Sequence, residues 1–255
     1  MQDHKETCNQ WASKGVFVMK YLKRFNDIDI NYIHSDKHIH SSWTDGEGTV
    51  LQITERAEEL GLNHIAITEH VREDSTYFSD YLDEIEDARK QSHVDILSGF
   101  EAKISNFSGD IDVSQYALGK ADIKIASVHR FPMGRKLFYS KQFEKRICQE
   151  IELELSMQAL KKGGFDILGH PGGMSLIAYS EFPLDYFEEI IVECVRCNVA
   201  FEVNSFYHMS VMEEFRPLLE KNNPFVSIGS DAHKIDDIGS SINVFKEKMG
   251  FNGQD

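Results

Sequence analysis

The sequence is poor in cysteine and has no long apolar run. Four cysteines occur among 255 residues, and the one closely spaced pair, Cys194 and Cys197, lacks the second pair that would complete a structural zinc site. We therefore expect ordinary thiols in a reducing compartment. The polar residues 1–4 and the short apolar run 15–19 do not predict a secretory signal, and no run reaches the length of a membrane span. The expected location is the cytoplasm, with no membrane contact.

Basic residues are scarce relative to acidic ones. The chain has 27 lysines and arginines against 42 aspartates and glutamates, which gives a formal net charge of -15. Such a chain repels a polyanion except where bound cations or local basic clusters reverse the field. We therefore expect a small anionic substrate, and a long nucleic acid is a poor candidate partner.

Several organising patterns are missing as well. The sequence has no internal repeat, no low-complexity segment and no linker rich in proline or glycine, so residues 31–255 are predicted to form one domain. Residues 1–30 are predicted to be an N-terminal extension of open role. Within it, residues 11–25 mix apolar and basic side chains, which favours an amphipathic helix packed on the main body. A helix lying on a membrane surface is the alternative interpretation.

What is present is a regular alternation of short β-branched runs with longer amphipathic stretches. The predicted strands are 32–39, 64–68, 95–100, 123–128, 165–168, 199–203 and 225–228. The predicted helices are 49–60, 79–91, 141–162, 184–197 and 211–221. Alternation of this kind implies an α/β fold with a parallel sheet and right-handed crossovers. Seven strands in one domain indicate a closed or nearly closed barrel.

Metal-binding residue types occur where the predicted strands end. Residues i and i+2 of a strand point to the same side, and all carboxyl ends of a parallel barrel open on one face. A lone histidine at a strand end is more often structural, but here the placement recurs along the chain. Imidazole with carboxylate suits Zn²⁺, Mn²⁺ and Fe²⁺, and nine ligands are too many for one tetrahedral ion and reasonable for three. The candidates are His38, His40, Asp45, His70, Glu101, His129, His170, Asp231 and His233.

The remaining histidines show no such placement and are interpreted as structural or exposed; they are His4, His34, His64, His93 and His208. Two further candidates at the end of the sixth predicted strand, Glu202 and Asn204, have two open interpretations. They either hydrogen-bond to metal ligands or satisfy nearby backbone groups. The sequence shows no Ser/His/Asp arrangement for acyl transfer, and residues 169–173 do not match a nucleotide-binding glycine loop.

The ordered motifs H-x-H-x4-D-G, I-T-E-H, G-F-E-A, S-V-H-R, G-H-P-G and S-D-A-H, between residues 36 and 233, resemble the polymerase-and-histidinol-phosphatase (PHP) domain family. The resemblance implies a distorted (β/α)7 TIM-like barrel and a trinuclear metal site that hydrolyses phosphoesters. Glu69, where the family often has aspartate, and the N-terminal extension depart from the family pattern. The implied ligand sets are His38, His40, Glu101 and Asp231 for one ion, Glu101, His129 and His170 for a second, and Asp45, His70 and His233 for a third.

The expected chemistry is hydrolysis of a small phosphomonoester with three divalent ions, Zn, Mn or Fe. Metal-bound water loses a proton near neutral pH and supplies a hydroxide nucleophile. We expect Glu101, Asp231 and Arg130 to be catalytic, and Arg130 and Arg135 to contact the substrate phosphate, because guanidinium suits bidentate phosphate binding. Arg72, Lys103 and Lys234 are weaker candidates whose alternative is surface solvation.

Three functions remain open at this point. Histidinol phosphate is one concrete monoester substrate suggested by the resemblance. The alternative is a phosphodiesterase or a 3'-5' exonuclease acting on nucleotides or single-stranded DNA ends, as in PHP domains attached to polymerases. A third possibility is a metal-binding scaffold that has lost activity. The sequence does not predict the substrate, the physiological metal or the oligomeric state.

Overall fold

The computed structural model describes residues 18–134 and 136–250. In chain order the strands of this part are β1 (Lys23–Arg24), β2 (Ser35–Ile39), β3 (His64–Val71), β4 (Asp95–Lys103), β5 (Ile123–Ser127), β6 (Phe131–Met133), β7 (Lys136–Phe138), β8 (Ile167–Gly169), β9 (Ala200–Asn204) and β10 (Phe225–Gly229). All seven predicted strands are present, as β2, β3, β4, β5, β8, β9 and β10.

Ten α-helices lie between and after these strands in the described part of the chain. They are α1 (Ile30–Ile33), α2 (Val50–Glu59), α3 (Phe78–Arg89), α4 (Gln115–Lys120), α5 (Lys145–Lys162), α6 (Gly173–Tyr179), α7 (Leu184–Cys197), α8 (Ser205–His208), α9 (Met212–Asn222) and α10 (Ser240–Lys248). Short 3-10 helices cover Val18–Tyr21, Phe25–Asp27, Ser140–Gln142 and Ile235–Asp237.

Eight strands form one sheet in the order β1-β10-β9-β8-β5-β4-β3-β2. The seven predicted strands run parallel, and β1 alone pairs antiparallel, with the start of β10. The sheet curls so that its β2 and β10 edges meet at their carboxyl ends, where Ile39 bridges Ala232 and the His40 amide donates to the Ala232 carbonyl at 2.9 Å. The α/β, TIM-like fold is therefore confirmed, as a curled half-barrel that touches itself at one end.

Local sequence explains where the long helices begin. Thr49 precedes α2, accepts a hydrogen bond from the Gln52 amide and donates its own amide to the Gln52 side chain, which is a complete capping box. The buried face of α2 repeats at helical spacing, with Val50, Ile53 and Ala57 turned toward the sheet. Each sheet-packed helix covers one outer face of the barrel and leaves the carboxyl rim open.

The barrel interior holds a small apolar cluster of its own. It comprises Leu22 from the N-terminal segment and six strand residues, namely Ala66, Leu97, Ile123, Ile125, Ile167 and Ala200. Leu22 and β1 pack at the amino end of the barrel, since β1 pairs with Phe225 and Val226 at the start of β10. The apolar cluster lies toward this end of the barrel, where the buried Lys37 also donates to the Ser35 hydroxyl.

The structure also corrects and extends the sequence interpretation. The helix predicted over 11–25 was wrong for its described part, where a 3-10 turn and strand β1 occur instead, and residues 1–17 lie outside the described residues. The hairpin β6–β7 and helices α1, α4, α6, α8 and α10 were not predicted, and α1 covers the start of the strand predicted over 32–39. Cys194 and Cys197 are free thiols in α7, as is Cys148 in α5. No described helix is long and apolar enough to cross a bilayer.

Candidate metal centre

The nine predicted ligands converge on one cavity at the carboxyl end of the half-barrel. His38 lies near the end of β2, His70 in β3 and Glu101 in β4. The other six lie in the loops that directly follow strands; they are His40, Asp45, His129, His170, Asp231 and His233. Parallel strands bring these residues together because their carboxyl ends share one rim. We name the nine residues the candidate metal centre.

Glu101 occupies the middle of the candidate metal centre. Its Oε1 lies 2.9 Å from His170 Nε2, 3.1 Å from His129 Nε2 and 3.5 Å from His38 Nε2. Its Oε2 lies 3.1 Å from His70 Nδ1 and 3.6 Å from His40 Nε2. Burial raises the pKa of Glu101, but His129 and His38 outweigh burial and hold this pKa well below its usual value. A buried anion surrounded by imidazoles can bridge two cations.

The other two carboxylates contact histidines that partly overlap with those around Glu101, and Asp45 adds His233. Asp231 Oδ1 lies 3.1 Å from His40 Nε2 and 3.5 Å from His38 Nε2. Asp45 lies 3.4 Å from both His70 Nε2 and His233 Nε2.

The local charges of these groups favour a cation. Burial lowers the pKa of His70, but hydrogen bonds to Asp45 and Glu101 outweigh it and raise this pKa to about 10. The hydrogen bond from His70 in turn lowers the pKa of Asp45 well below its usual value. Both shifts have one cause, which is that the two carboxylates stabilise positive charge placed between them.

The donor atoms fit divalent transition metals. Three groups each have ligand atoms within 4.8 Å of one another: His38, His40 and Asp231; His70, Glu101 and His129; and His40, Asp45, His70 and His233. Four buried imidazole nitrogens of the candidate metal centre have no hydrogen-bond partner among the described residues, namely His38 Nε2, both nitrogens of His40 and His170 Nδ1. Unpaired buried nitrogens are costly unless a ligand satisfies them. Mixed imidazole and carboxylate donors match Zn²⁺, Mn²⁺ or Fe²⁺.

Glu202 on β9 orients two members of the candidate metal centre. Its Oε1 accepts from His38 Nδ1 at 2.8 Å, and its Oε2 accepts from the His170 backbone amide at 2.6 Å. Because a carboxylate only accepts, His38 Nδ1 is the donor in this contact, and the neutral ring has its lone pair on Nε2, which faces Glu101 and Asp231. Asn204 instead accepts from the Phe206 and Tyr207 amides and caps α8. Glu202 therefore fits both interpretations, whereas the Asn204 side chain satisfies backbone groups.

Two candidate ligands in this region have a strained backbone conformation. His170 and Asp231 have φ of 29° and 56°, a left-handed conformation that non-glycine residues rarely adopt. Next to them, Gly229 has no room for a side chain, because an added Cβ would lie 2.3 Å from Glu202 Oε1 and 2.6 Å from His38 Cβ. The tight packing lets Glu202 reach across the barrel to His38.

Comparison with known proteins identifies the family. The model of the PHP domain family matches residues 36–206. This chain belongs to the PHP domain family. The match confirms the resemblance carried by the sequence motifs.

The curated relatives of this PHP chain include phosphatases and a polymerase. A probable phosphatase of Photobacterium profundum is 26% identical over 228 residues, covering 85% of this chain and 85% of that protein. The DNA polymerase/3'-5' exonuclease PolX of Bacillus subtilis is 24% identical over 238 residues, covering 87% of this chain but 38% of PolX.

Solved structures share the fold. The histidinol phosphate phosphatase of Lactococcus lactis, crystallised with zinc, L-histidinol and phosphate, superposes with a TM-score of 0.68 at 20% identity, covering 86% of this chain and 93% of that chain. A putative histidinol phosphatase of Listeria monocytogenes has a TM-score of 0.65 at 18% identity, covering 83% of this chain and 99% of that one.

Two buried acids of the PHP chain support the centre and were missed by the sequence analysis. Asp36 accepts from the Ser230 and Gly239 amides, both at 2.9 Å, and joins β2 to the loop that carries Asp231. Glu69 accepts from the Ser41 amide at 2.8 Å and from the Thr44 hydroxyl, so it holds the loop between His40 and Asp45. Glu69 is a carboxylate in a largely apolar strand, which is the signal that could have found it, whereas Asp36 lies in the mostly polar strand β2 and had no such signal. The departure from aspartate at Glu69 gives the longer side chain this reach.

The cavity above the centre has a volume of about 530 Å³ and contains Arg130 in its lining. The Arg130 guanidinium stacks over the Tyr139 ring, 3.4 Å from its centroid, and makes no ion pair with a described residue. Tyr207 lines the opposite side, where its ring stacks on His170 with centroids 4.3 Å apart. Arg135 lies outside the described residues, and Lys234 is not among the lining residues.

Proposed function

We propose that this PHP protein is a metal-dependent phosphomonoesterase that acts on a small phosphorylated substrate with three divalent ions, Zn, Mn or Fe. One observation carries the proposal: Glu101 lies within 3.6 Å of five imidazoles, while further carboxylates flank the same histidines. Residues 31–255 would form the catalytic domain. The phosphatase names of the curated relatives support the same reaction.

The proposed ligand sets are those that the family resemblance implies. One ion would be held by His38, His40, Glu101 and Asp231, a second by Glu101, His129 and His170, and a third by Asp45, His70 and His233. His70 Nδ1 also lies 3.1 Å from Glu101 Oε2, so His70 would be available to the set of Glu101, His129 and His170 as well. When bound, the ions make a water molecule acidic enough to attack phosphorus as hydroxide and neutralise charge on the phosphoryl oxygens.

The chain's own residues then bind and orient the substrate. Arg130 sits one residue beyond His129, and its stacking on Tyr139 restricts the guanidinium to one plane at the cavity wall. A fixed guanidinium presents two parallel N–H donors to a phosphate. Arg130 is therefore the residue that binds the phosphoryl group. Glu101 and Asp231 are catalytic because their carboxylates would hold the cations that face the phosphoryl group.

The organic part of the substrate would lie against the uncharged part of the cavity wall. Leu137, Met174 and Tyr207 belong to the lining, and none of them carries a charge near neutral pH. Burial and the nearby Asp231 and Glu101 raise the pKa of Tyr207, so its hydroxyl stays protonated. A compact organic group fits between this wall and the phosphate site, and histidinol phosphate is one candidate because fold neighbours act on it.

The test uses protein whose metal content has been quantified. Metal-replete enzyme is expected to release phosphate from members of a panel of small phosphomonoesters, and Glu101→Ala and Asp231→Ala should abolish release. Glu193→Ala, in the outer ion pair with Arg196, is the matched control and should keep full turnover. The absence of phosphate release from every monoester would exclude the proposal and favour a scaffold without activity.

A nuclease function is the second candidate, since PolX is among the relatives. A labelled single-stranded DNA with a 3' end distinguishes the two functions. Shortening of this DNA at a rate above monoester hydrolysis would favour the exonuclease. The net charge of -15 predicts the opposite result.

A further inference from the structure

The candidate metal centre is bordered on one side by basic residues that the reaction itself does not require. Strands β3, β4 and β5 are adjacent in the sheet, and each is followed closely by a cation at the rim of the cavity. These cations are Arg72, Lys103 and Arg130, all of which line the cavity. Arg130 contacts the phosphoryl group in the proposed function, which leaves Arg72 and Lys103 without a role.

The strand register places these two side chains with precision. His70 pairs with Glu101 and Val71 with Ala102, so Arg72 and Lys103 stand side by side one step farther along. Residues two apart on a strand point to the same side. Arg72 and Lys103 therefore point to the side of His70 and Glu101, roughly 7 Å farther toward the cavity mouth at 3.3 Å per residue.

Arg72 is the less engaged of the two. Lys103 lies 3.3 Å from Asp112, which also accepts from the Glu73 amide. The Arg72 guanidinium makes no hydrogen bond or ion pair with any residue that the structure describes. Acidic residues Glu73, Asp74 and Asp112 line a second depression that shares Arg72 with the cavity. An unpaired guanidinium at the mouth of a site is a ready contact for a carboxylate or phosphate.

The carboxylates in the cavity lead to the same assignment. Its acidic lining residues are Asp45, Glu101 and Asp231, and each of them belongs to the candidate metal centre. An ammonium or imidazolium on the substrate would be repelled by Arg72 and Lys103 at the mouth. The cavity lining offers it no carboxylate outside the candidate metal centre. A second anion would meet two cations there.

We propose that the substrate carries a second anionic group, a carboxylate or another phosphate, which binds Arg72 with Lys103 beside it. This inference rests on the proposed phosphomonoesterase function and narrows its substrate class. It separates this chain from fold neighbours that act on histidinol phosphate, a substrate bearing an amine. Arg72 is the specificity-determining residue of this subsite.

The test compares four phosphomonoesters that share a four-carbon chain and differ at the far end. The ends are methyl, ammonium, carboxylate and a second phosphate. Metal-replete wild-type enzyme is expected to favour the carboxylate or the bisphosphate over the methyl ester by about tenfold to 100-fold in kcat/KM, the value of one charge-assisted hydrogen bond. The ammonium ester should be the poorest substrate. Which of the two anionic esters is better identifies the chemistry of the second group.

Variants locate the preference in the molecule. Arg72→Gln should reduce the ratio of anionic to methyl ester toward one, and Arg72→Glu should reverse it in favour of the ammonium ester. Arg146→Gln is the matched control, since this arginine lies on α5 with 86% of its side chain exposed, and it should keep the wild-type ratio. Equal kcat/KM for all four esters, or a preference for the ammonium ester, overturns the inference.

A binding measurement separates this inference from the proposed function. Phosphonate analogues of the methyl and carboxylate esters cannot be hydrolysed, and calorimetry on the metal-loaded protein gives their affinities. Tighter binding of the carboxylate analogue that depends on Arg72 supports the subsite even if no ester turns over. In that case the phosphomonoesterase proposal alone fails. Equal affinities for the two analogues overturn the subsite, whatever the turnover shows.

Discussion

Replacing Glu202 with glutamine removes one of the two acceptors that this carboxylate presents to the candidate metal centre. The two oxygens accept from His38 Nδ1 at 2.8 Å and from the His170 amide at 2.6 Å. A glutamine of the same shape has one oxygen and one NH₂ group. If the oxygen faces His38, the NH₂ opposes the His170 amide. If the groups exchange, the NH₂ donates to His38 Nδ1, and the proton moves to Nε2.

Each arrangement has a cost whose size can be estimated, in folding stability for the first and in metal affinity for the second. In the first, one buried amide donor loses its partner, at a cost of about 1–3 kcal/mol to folding. In the second, His38 directs an N–H toward Glu101 and Asp231 and no longer offers a lone pair to a cation. Loss of such an orienting partner weakens metal binding by roughly 10-fold to 100-fold. We expect Glu202→Gln to weaken metal binding more than it destabilises the fold. The reason is that His38 Nε2 has no hydrogen-bond partner among the described residues and would face the cation.

Metal affinity is the informative assay. Competition with a chromophoric chelator gives the zinc affinity of wild type and variant, with thermal unfolding of the chelated proteins as a measure of stability alone. Glu193→Gln is the control, because Glu193 is a largely buried glutamate whose partner Arg196 lies on the same helix away from the centre. An unchanged zinc affinity in Glu202→Gln, with normal turnover, would refute the orienting role of Glu202.

Three further predictions concern the same region. Gly229→Ala should destabilise the fold by about 1–3 kcal/mol and weaken metal binding, since its Cβ would lie 2.3 Å from Glu202 Oε1; thermal unfolding and metal content test this. Removing the metal with a chelator should lower the Tm of the wild type. Metal at 100 times its Kd contributes about 2.7 kcal/mol to the free energy of unfolding, and Glu101→Gln should reduce this contribution. Burial raises the pKa of Glu152 from 4.5 to about 7, so its contribution to stability is complete below pH 4.5 and disappears as the pH rises through about 7. Urea unfolding should show wild type losing about 3 kcal/mol relative to Glu152→Gln across that window, and a constant difference would contradict this.

The spacing of hydrophobic residues along the chain gave most of the fold prediction. Each of the seven parallel strands was visible as a short β-branched run, and α7 has the predicted bounds Leu184–Cys197. Short helices such as α6 and α8 escaped because one or two turns give too little periodicity. The hairpin β6–β7 escaped for a similar reason, since its strands are Phe131–Met133 and Lys136–Phe138. The described end of the N-terminal segment was predicted wrongly as a helix, because its apolar Leu22 packs in the cluster at the amino end of the barrel.

Residue type and position along the chain determined which side chains belong to the centre. Histidines and carboxylates at successive strand ends must meet wherever those strands run parallel in one curled sheet, so the nine candidates could be named before any distance was known. The family followed from the same residues, and the match over 36–206 confirmed it.

Only the tertiary structure decided how those side chains act on one another. Glu101 lies at the middle because β4 is an inner strand, flanked by β3 and β5. Glu202, Asp36 and Glu69 take supporting roles through contacts with residues at least 25 positions away, and no local pattern encodes such pairings. The cationic border of the cavity likewise arises from register between strands. Long-range packing sets these distances, since the order of residues determines which groups exist and the fold determines which of them touch.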